Sequence, residues 1–454
     1  MIFSKNIAVT ALSTLVLTAF HANSAWALDF KTAYEAALQH DATILAERAA
    51  AQAAQERLPQ ALSQRRPSLS LSAGQNRNHL ESQTANILGQ RSVSERYYDS
   101  NNAALQLRQP LYRPAILAQI KQARAQVQDA DAVLDVNEND LLERVAQAYF
   151  DALLGQVQLD LASAQKTAFA AQLQSAQKGF AAGVGMRTDV DEAQARMDLA
   201  HAQVLQAQQA LDLARRRLAL LLGVPVAQLV QLADLDTQRF APSAPVPTSA
   251  EQWIALAEES SPQLQALRAR LRAAQAEVDK AQAGHKPTLD VVATVSRSDS
   301  DSVTSINTVY KQKYVGVQLN VPLYSGGYVS STVRQALAEV QRMQQTLEAA
   351  QRDLSNQVYE QFSAMTEGVL RIAALEQAVR SAQQALLSSQ KSLQAGARTT
   401  VDVLNAEQQL TVAQRDLAQA RYGYVLAHLK LQMLAGQERM ANVDAVNRWL
   451  KTQG

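Results

Sequence analysis

The chain of 454 residues contains no cysteine. That removes disulfides, thiolate metal sites, a cysteine nucleophile and acylation at a processed N-terminal cysteine. Proline and glycine are scarce, at 11 and 16 residues, and aromatics make up only 5%. No proline occurs between Pro114 and Pro225, and none after Pro322. With so few breakers, and with Ala, Leu and Gln abundant, long uninterrupted helices are expected. Charge of one sign is also missing. The 43 basic and 42 acidic residues nearly cancel, so no basic field points to nucleic acid. His21, His40, His79, His201, His285 and His428 are scattered, with no metal-ligand spacing and no Ser-His-Asp plan. No GxxxxGK[ST] loop exists. The expectation is a protein without catalysis, cofactor, metal or nucleic-acid partner. Long apolar runs are absent beyond the N-terminal region, so no helix is expected to cross a membrane.

That N-terminal region reads as a secretory signal. Lys5 supplies a positive start, and Ile7 to Phe20 is mostly apolar. At about fourteen residues the run is short for a membrane span. Ala25-Trp26-Ala27 fits the small-x-small cleavage pattern. Residues 1–27 are therefore expected to be removed, leaving Leu28 first; an uncleaved anchor is the alternative. An exported chain without membrane helices is periplasmic, secreted or an outer-membrane barrel.

What the sequence does have is a duplication. Pro110-Leu111-Tyr112 recurs as Pro322-Leu323-Tyr324, Asp189 falls on Asp402, and Gly223 falls on Gly436, 212 or 213 residues apart. Pro67 and Pro287 are 220 apart, so the first copy carries extra residues between Pro67 and Pro110. Each copy reads helix, two alternating segments, very long helix, Gly-containing turn, shorter helix. The expected organisation is a first repeat over 28–224, a connector over 225–249, a second repeat over 250–436 and a tail over 437–454. The connector holds Pro242, Pro245 and Pro247 and reads as a plain linker.

In the second long helix one apolar stripe runs from Leu337 through Leu354, Met365 and Ile372 to Leu386 in steps of three and four. Its mean period is about 3.5, that of a left-handed coiled coil. Ala beside the stripe allows close approach on a second side, which suits a curved wall of helices; a dimeric rod is the bland alternative. At ~1.5 Å per residue, each long helix would reach roughly 100 Å and each return helix roughly half that. Two short helices stacked end to end would match one long one.

The alternating segments lie near Ser68 to Ser72, Asn101 to Arg108, Thr288 to Ser296 and Tyr314 to Pro322. Val315, Val317, Leu319 and Val321 share one face, with Gly316, Gln318 and Asn320 on the other. Segments of about ten residues cross a bilayer when tilted. A small soluble sheet packed on helices would show the same alternation. Four strands cannot close a barrel, and open edges are not tolerated in lipid. In a membrane, three chains pooling their strands would give twelve. Polar stretches near Asn86 to Asp99 and Ser298 to Lys313 would be the outer loops.

With this plan, the chain resembles the TolC family of outer-membrane channel-tunnels. The resemblance is carried by the signal peptide, the duplicated plan, Ala148-Tyr149-Phe150, Gly183 followed by Thr188-Asp189-Val190, and above all Gly396-Ala397-Arg398-Thr399-Thr400-Val401-Asp402-Val403-Leu404-Asn405-Ala406. It covers nearly the whole mature chain. It implies a mainly α fold with a small β part. A homotrimer would form a twelve-stranded barrel in the outer-membrane lipid and a helical barrel hanging into the periplasm. The implied function is export of proteins (type I secretion) or small molecules. The implied partners are a periplasmic adaptor and an inner-membrane transporter of ABC or RND type. The competing reading is a secreted or surface-attached trimeric coiled coil with a structural or adhesive role.

The resemblance also assigns residues. Asp402 aligns with an acidic selectivity ring at the entrance, where three carboxylates would attract cations; alone it reads equally as a helix N-terminal acid. The second acidic position is Asn405 here, which predicts a weaker field. Arg398 aligns with a closed-state latch, with Asp189 as acceptor and Thr188 beside it. The family's second latch group, a tyrosine, falls at Leu393, which cannot donate a hydrogen bond. Gly183 and Gly396 align with tips that meet the adaptor; simple helix termination explains them as well.

Overall fold

The computed structural model describes residues 28–451, apart from 86, 88, 230 and 301–307. The expected signal peptide lies outside the described residues, as does the middle of the second polar loop. The first repeat runs α1 (Phe30–His40), α2 (Ala42–Gln55), α3 (Arg57–Ser63), β1 (Ser68–Ala85), β2 (Arg91–Tyr112), α4 (Pro114–Ala181) and α5 (Arg187–Leu222). The second runs α6 (Ala250–Ser260), α7 (Pro262–Gln282), β3 (Thr288–Ser300), β4 (Thr308–Asn320), α8 (Tyr328–Gln394) and α9 (Thr400–Leu434). A short α10 (Arg439–Asn447) follows. The duplicated plan and the long-short helix pairing are those expected from the sequence.

Local chemistry sets the boundaries. Asp29 caps α1, its Oδ1 accepting from the Thr32 amide at 2.8 Å. The leading segment of the repeat, read from the sequence as a single helix, is broken at Asp41, whose Oδ1 caps α2 by accepting from the Ile44 amide at 2.9 Å. Its counterpart is broken at Ser261, just before Pro262 occupies the first turn of α7. Pro114 likewise starts α4. Gly223 and Gly436 end α5 and α9 in left-handed conformation, with φ of 66° at both. At Gly436 an added Cβ would come within 2.9 Å of the Ser260 carbonyl oxygen.

The coiled-coil stripe is real. Leu354, Val358, Met365 and Ile372 are its buried members in α8. With 68 residues in α4 and 67 in α8, each long helix spans about 100 Å. α4 packs against α5 along one part of its length and α7 along another, and α7 also touches α8. The short helices thus complete the long ones and join the two repeats. Arg270 pairs with Asp129 at 2.9 Å across α7 and α4.

The main core sits midway, around the Ala148-Tyr149-Phe150 motif. Phe30, Tyr34, Tyr149, Phe150, Trp253 and Tyr422 are all buried there. The Tyr149 hydroxyl lies 2.9 Å from the Leu28 carbonyl oxygen and 2.8 Å from that of Ala233. The connector is more than the plain linker expected. It buries Leu229, Leu235 and Phe240 in this core, pairs Leu232 with Leu28 and Leu235 with Leu450, and so forms a belt around the helices.

The four strands form one antiparallel sheet in the order β1-β2-β3-β4. They are longer than the ten or so residues expected: 18, 22, 13 and 13. Most of the stretch from Asn86 to Asp99, expected as loop, is strand from Arg91 onward. The reason is physical. Where both faces meet water, a strand needs no apolar-polar alternation, so its outer half leaves no period-two signal. Leu69, Leu107, Ala293 and Val315 lie in one row across the sheet, followed by Leu71, Leu105, Val295 and Lys313. All of these aliphatic side chains but the half-buried Ala293 are exposed, Val315 by 77% and Leu71 by 74%, whereas Val292 and Asp290 on the opposite face are 8% and 2% exposed. The sheet therefore curves around its polar face and turns its apolar face outward.

Candidate functional site at the helix-pair tips

Two helix-turn-helix tips lie at the end of the molecule away from the sheet: α4–α5 around Gly183 and α8–α9 around Gly396. Both use the same terminator. The Gly183 amide donates to the Phe180 carbonyl and the Val184 amide to that of Gly179, each at 3.0 Å. The Gly396 and Ala397 amides donate to Leu393 and Ser392 in the same way. These are Schellman motifs, which require the left-handed backbone of 73° and 72° seen at the two glycines. Around each, no atom lies within 4 Å of where a Cβ would stand, so the tips present open backbone.

The first turn of α9 is fixed by a capping box. The Asp402 Oδ2 accepts from the Thr399 amide at 2.9 Å and from the Thr399 hydroxyl at 2.8 Å. Those bonds, with the nearby Arg398 charge, hold its carboxyl below the usual carboxylate range. Asp189 occupies the equivalent position in α5, its Oδ2 3.4 Å from the Met186 amide. Asp402 and Asp189 are thus both helix-capping acids within the protomer.

Arg398 turns back onto its own helix pair, where Nη1 donates to the buried Ser389 hydroxyl at 2.8 Å. Within one protomer it does not meet Asp189, whose partner is the Met186 amide, and Thr188 stands exposed beside it. Leu393 is half-buried. What does join the two helix pairs is Arg196 of α5. Its guanidinium lies 2.9 Å from the Gln408 Oε1 and 3.3 Å from the Asn405 Oδ1, both on α9. Beneath it Phe169, Ala200 and Leu404 pack from α4, α5 and α9. Arg196 was not among the residues singled out from the sequence. The one available signal was its place seven residues after Asp189, two turns along the same helix face.

Far from the tips, at the junction of sheet and helices, Asp290 is buried and accepts from two arginines. Arg108 Nη2 lies 2.7 Å away and Arg113 Nη2 2.5 Å away. Sequence reasoning missed this pairing, since it joins positions 177 and 182 residues apart. Among the described residues, no cluster of His, Asp and Glu has the arrangement of a metal site, and no helix is long and apolar enough to cross a membrane.

A curved sheet with an outward apolar face, on helices about 100 Å long, defines the protomer of a membrane duct with a helical extension. The chain belongs to the family described as outer membrane efflux protein, whose pattern matches residues 33–224 and 253–437. It is 36% identical over 352 residues to the alkaline protease secretion protein AprF of Pseudomonas aeruginosa, covering 78% of this chain and 73% of that one. It is 32% identical to the proteases secretion protein PrtF of Dickeya chrysanthemi, covering 97% of this chain and 95% of the other. Among solved structures, the outer membrane protein VceC of Vibrio cholerae superposes with a TM-score of 0.76 at 20% identity, over 90% of this chain and 96% of that one. The chain is an outer-membrane channel-tunnel of the type used in secretion and efflux, with its barrel in the outer membrane and its helices in the periplasm. The trimeric barrel is the architecture of this family.

Proposed function

We propose that this chain is the outer-membrane duct of a type I protein secretion system. The observation that carries the reading is colinearity from end to end with a proteases secretion protein, at 97% and 95% coverage. In this reading three copies pool twelve strands in the outer membrane. A periplasmic adaptor meets the open tips at Gly183 and Gly396, and an inner-membrane transporter of the ABC type supplies the energy. The duct itself performs no catalysis and holds no cofactor.

At the entrance, three Asp402 carboxylates ring the axis and favour cations, with Asn405 adding polarity and no charge. The closed state combines two ties. One is Arg196 with Asn405 and Gln408 inside each protomer. The other forms between copies, where Arg398 has donors beyond the one used on Ser389 and meets Asp189 of the partner subunit, next to Thr188. Partly solvated links of this kind contribute about 1 kcal/mol each, weak enough for an adaptor to open.

The test is secretion in a host deleted for its own duct but supplied with a protease-exporting transporter and adaptor. This chain restores protease in the culture medium. Export of small dyes in the same host without any protease release would overturn the protein-secretion reading. In planar bilayers Arg398→Ala raises single-channel conductance; unchanged conductance and gating would remove Arg398 from the closure.

A further inference from the structure

We infer that Lys311, Lys313 and Arg297 form a binding surface for the phosphate groups of a phosphorylated glycolipid in the outer leaflet. The helices join the sheet at one end, through Arg113, Lys286 and the turn before Tyr328, so the hairpin ends of the strands face outward from the cell. Moving outward along the lipid-facing side, the rows across the sheet become polar in a defined order. Leu69, Leu107, Ala293 and Val315 are wholly apolar; Leu71, Leu105 and Val295 share the next row with Lys313; Ala73 and Ala103 share the next with Arg297 and Lys311. A cation facing lipid costs about 2–4 kcal/mol at the midplane and roughly 0–1 near the interface. These three therefore mark the outer headgroup level, with their aliphatic stems lying on the apolar rows below.

Their mutual placement needs an anion. Lys311 and Arg297 are direct partners across β4 and β3, and like charges opposite one another destabilise a sheet. Lys313 adds a third positive charge two residues along the same face. Among the described residues of one protomer, only Asp299 answers, at a loose 3.9 Å from Arg297. Neither lysine's ammonium group forms a hydrogen bond or ion pair with any described residue. Other arginines of the sheet face carboxylates: Arg77 lies opposite Asp99, and Arg108 shares Asp290 with Arg113 just beyond β2. Two lysines at ~7 Å along a strand and an arginine ~5 Å across it offer converging donors to phosphate oxygens. The apolar rows beneath them fit the same molecule's acyl chains. An amphiphile with phosphates on a sugar headgroup above its chains matches both parts of the surface.

The test uses purified trimer in phosphatidylcholine nanodiscs containing a minor fraction of bis-phosphorylated lipid A, with retained lipid counted by native mass spectrometry. Wild type retains lipid A, and Lys311→Gln with Lys313→Gln lowers retention about tenfold or more, while Lys311→Arg with Lys313→Arg keeps it. Equal retention by wild type and the glutamine variant overturns the proposal. So does equal retention of dephosphorylated lipid A or of phosphatidylglycerol by wild type. Should the glutamine variant fail to assemble, wild type decides: added inorganic phosphate displaces lipid A, and no displacement overturns the site. The inference relies on the barrel only for which face meets lipid. Conductance of the same sample is read in parallel, so loss of the channel and loss of lipid binding are separate results.

Discussion

The guanidinium of Arg196 reaches from one helix pair to the other and lies 3.3 Å from the side-chain oxygen of Asn405, 209 residues away in sequence. Opening the entrance by moving one pair against the other has to break this contact and the adjacent one to Gln408. Arg196→Ala is expected to remove about 1 kcal/mol of closed-state stabilisation per protomer. It should raise mean single-channel conductance in planar bilayers. Asn405→Asp should lower it, because a carboxylate acceptor strengthens the bond. If both variants gate like wild type, the tie is not part of the closure.

The entrance carboxylate gives a pH dependence. Hydrogen bonds from Thr399 hold the Asp402 pKa below its ordinary value. Its negative charge is then complete above the usual aspartate pKa of about 3.9, and is lost only as pH falls through the lower value. Block of the channel by a trivalent cation should persist at about pH 4 and vanish in Asp402→Asn. Disappearance of block well above that pH would show that another group binds the cation.

Two classes of turn glycine should separate by stability. Gly396→Ala must adopt a φ of 72° in open space, with an expected loss of about 1–2 kcal/mol. Gly436→Ala bears the same backbone strain and also drives its Cβ into Ser260, whose Cβ stands at 2.6 Å. Trimers of Gly436→Ala should dissociate at distinctly lower temperature than those of Gly396→Ala on semi-native gels. Equal midpoints would mean that α6 yields freely.

Asp41 ties the helical belt to acid sensitivity. Burial opposes its ionisation. The Arg144 guanidinium, 3.2 Å away, and the amides of Ile44 and Thr43 outweigh burial and keep its carboxyl below the usual range. A lowered folded pKa contributes stability that is complete above the unfolded value of about 3.9 and fades as pH falls through the folded one. Asp41→Ala should cost about 1–2 kcal/mol at pH 7, and the gap to wild type should shrink at about pH 3. A gap independent of pH would assign the effect to packing.

Sequence patterning revealed the parts whose periodicity is imposed by two different surroundings. The stripe through Leu354, Val358 and Met365 repeats because one side faces other helices. Val315, Val317 and Leu319 alternate because lipid lies on one side and the polar interior on the other. From Arg91 to Asp99 the strand meets water on both faces, so that stretch read as loop. The break at Ser261 did have a local sign in Ser261-Pro262, but the alanine-rich period continues across it and hides it. Asp402 and Asp189 could be placed by the repeat. The ties Arg196–Asn405 and Arg113–Asp290 could not, because they depend on how separate helices and strands are set against one another.

The unequal edges of the sheet carry a consequence for the mouth of the duct. β1 has 18 residues and β4 has 13, so among the described residues, when one copy's last strand joins the next copy's first, part of β1 has no counterpart on β4. The outermost stretch of each β1–β2 hairpin then stands as a two-stranded prong bounded by gaps. Strand edges of unequal length favour an uneven rim at the exit over a flush one, and exclusion of the outside medium then rests on the far, helical end.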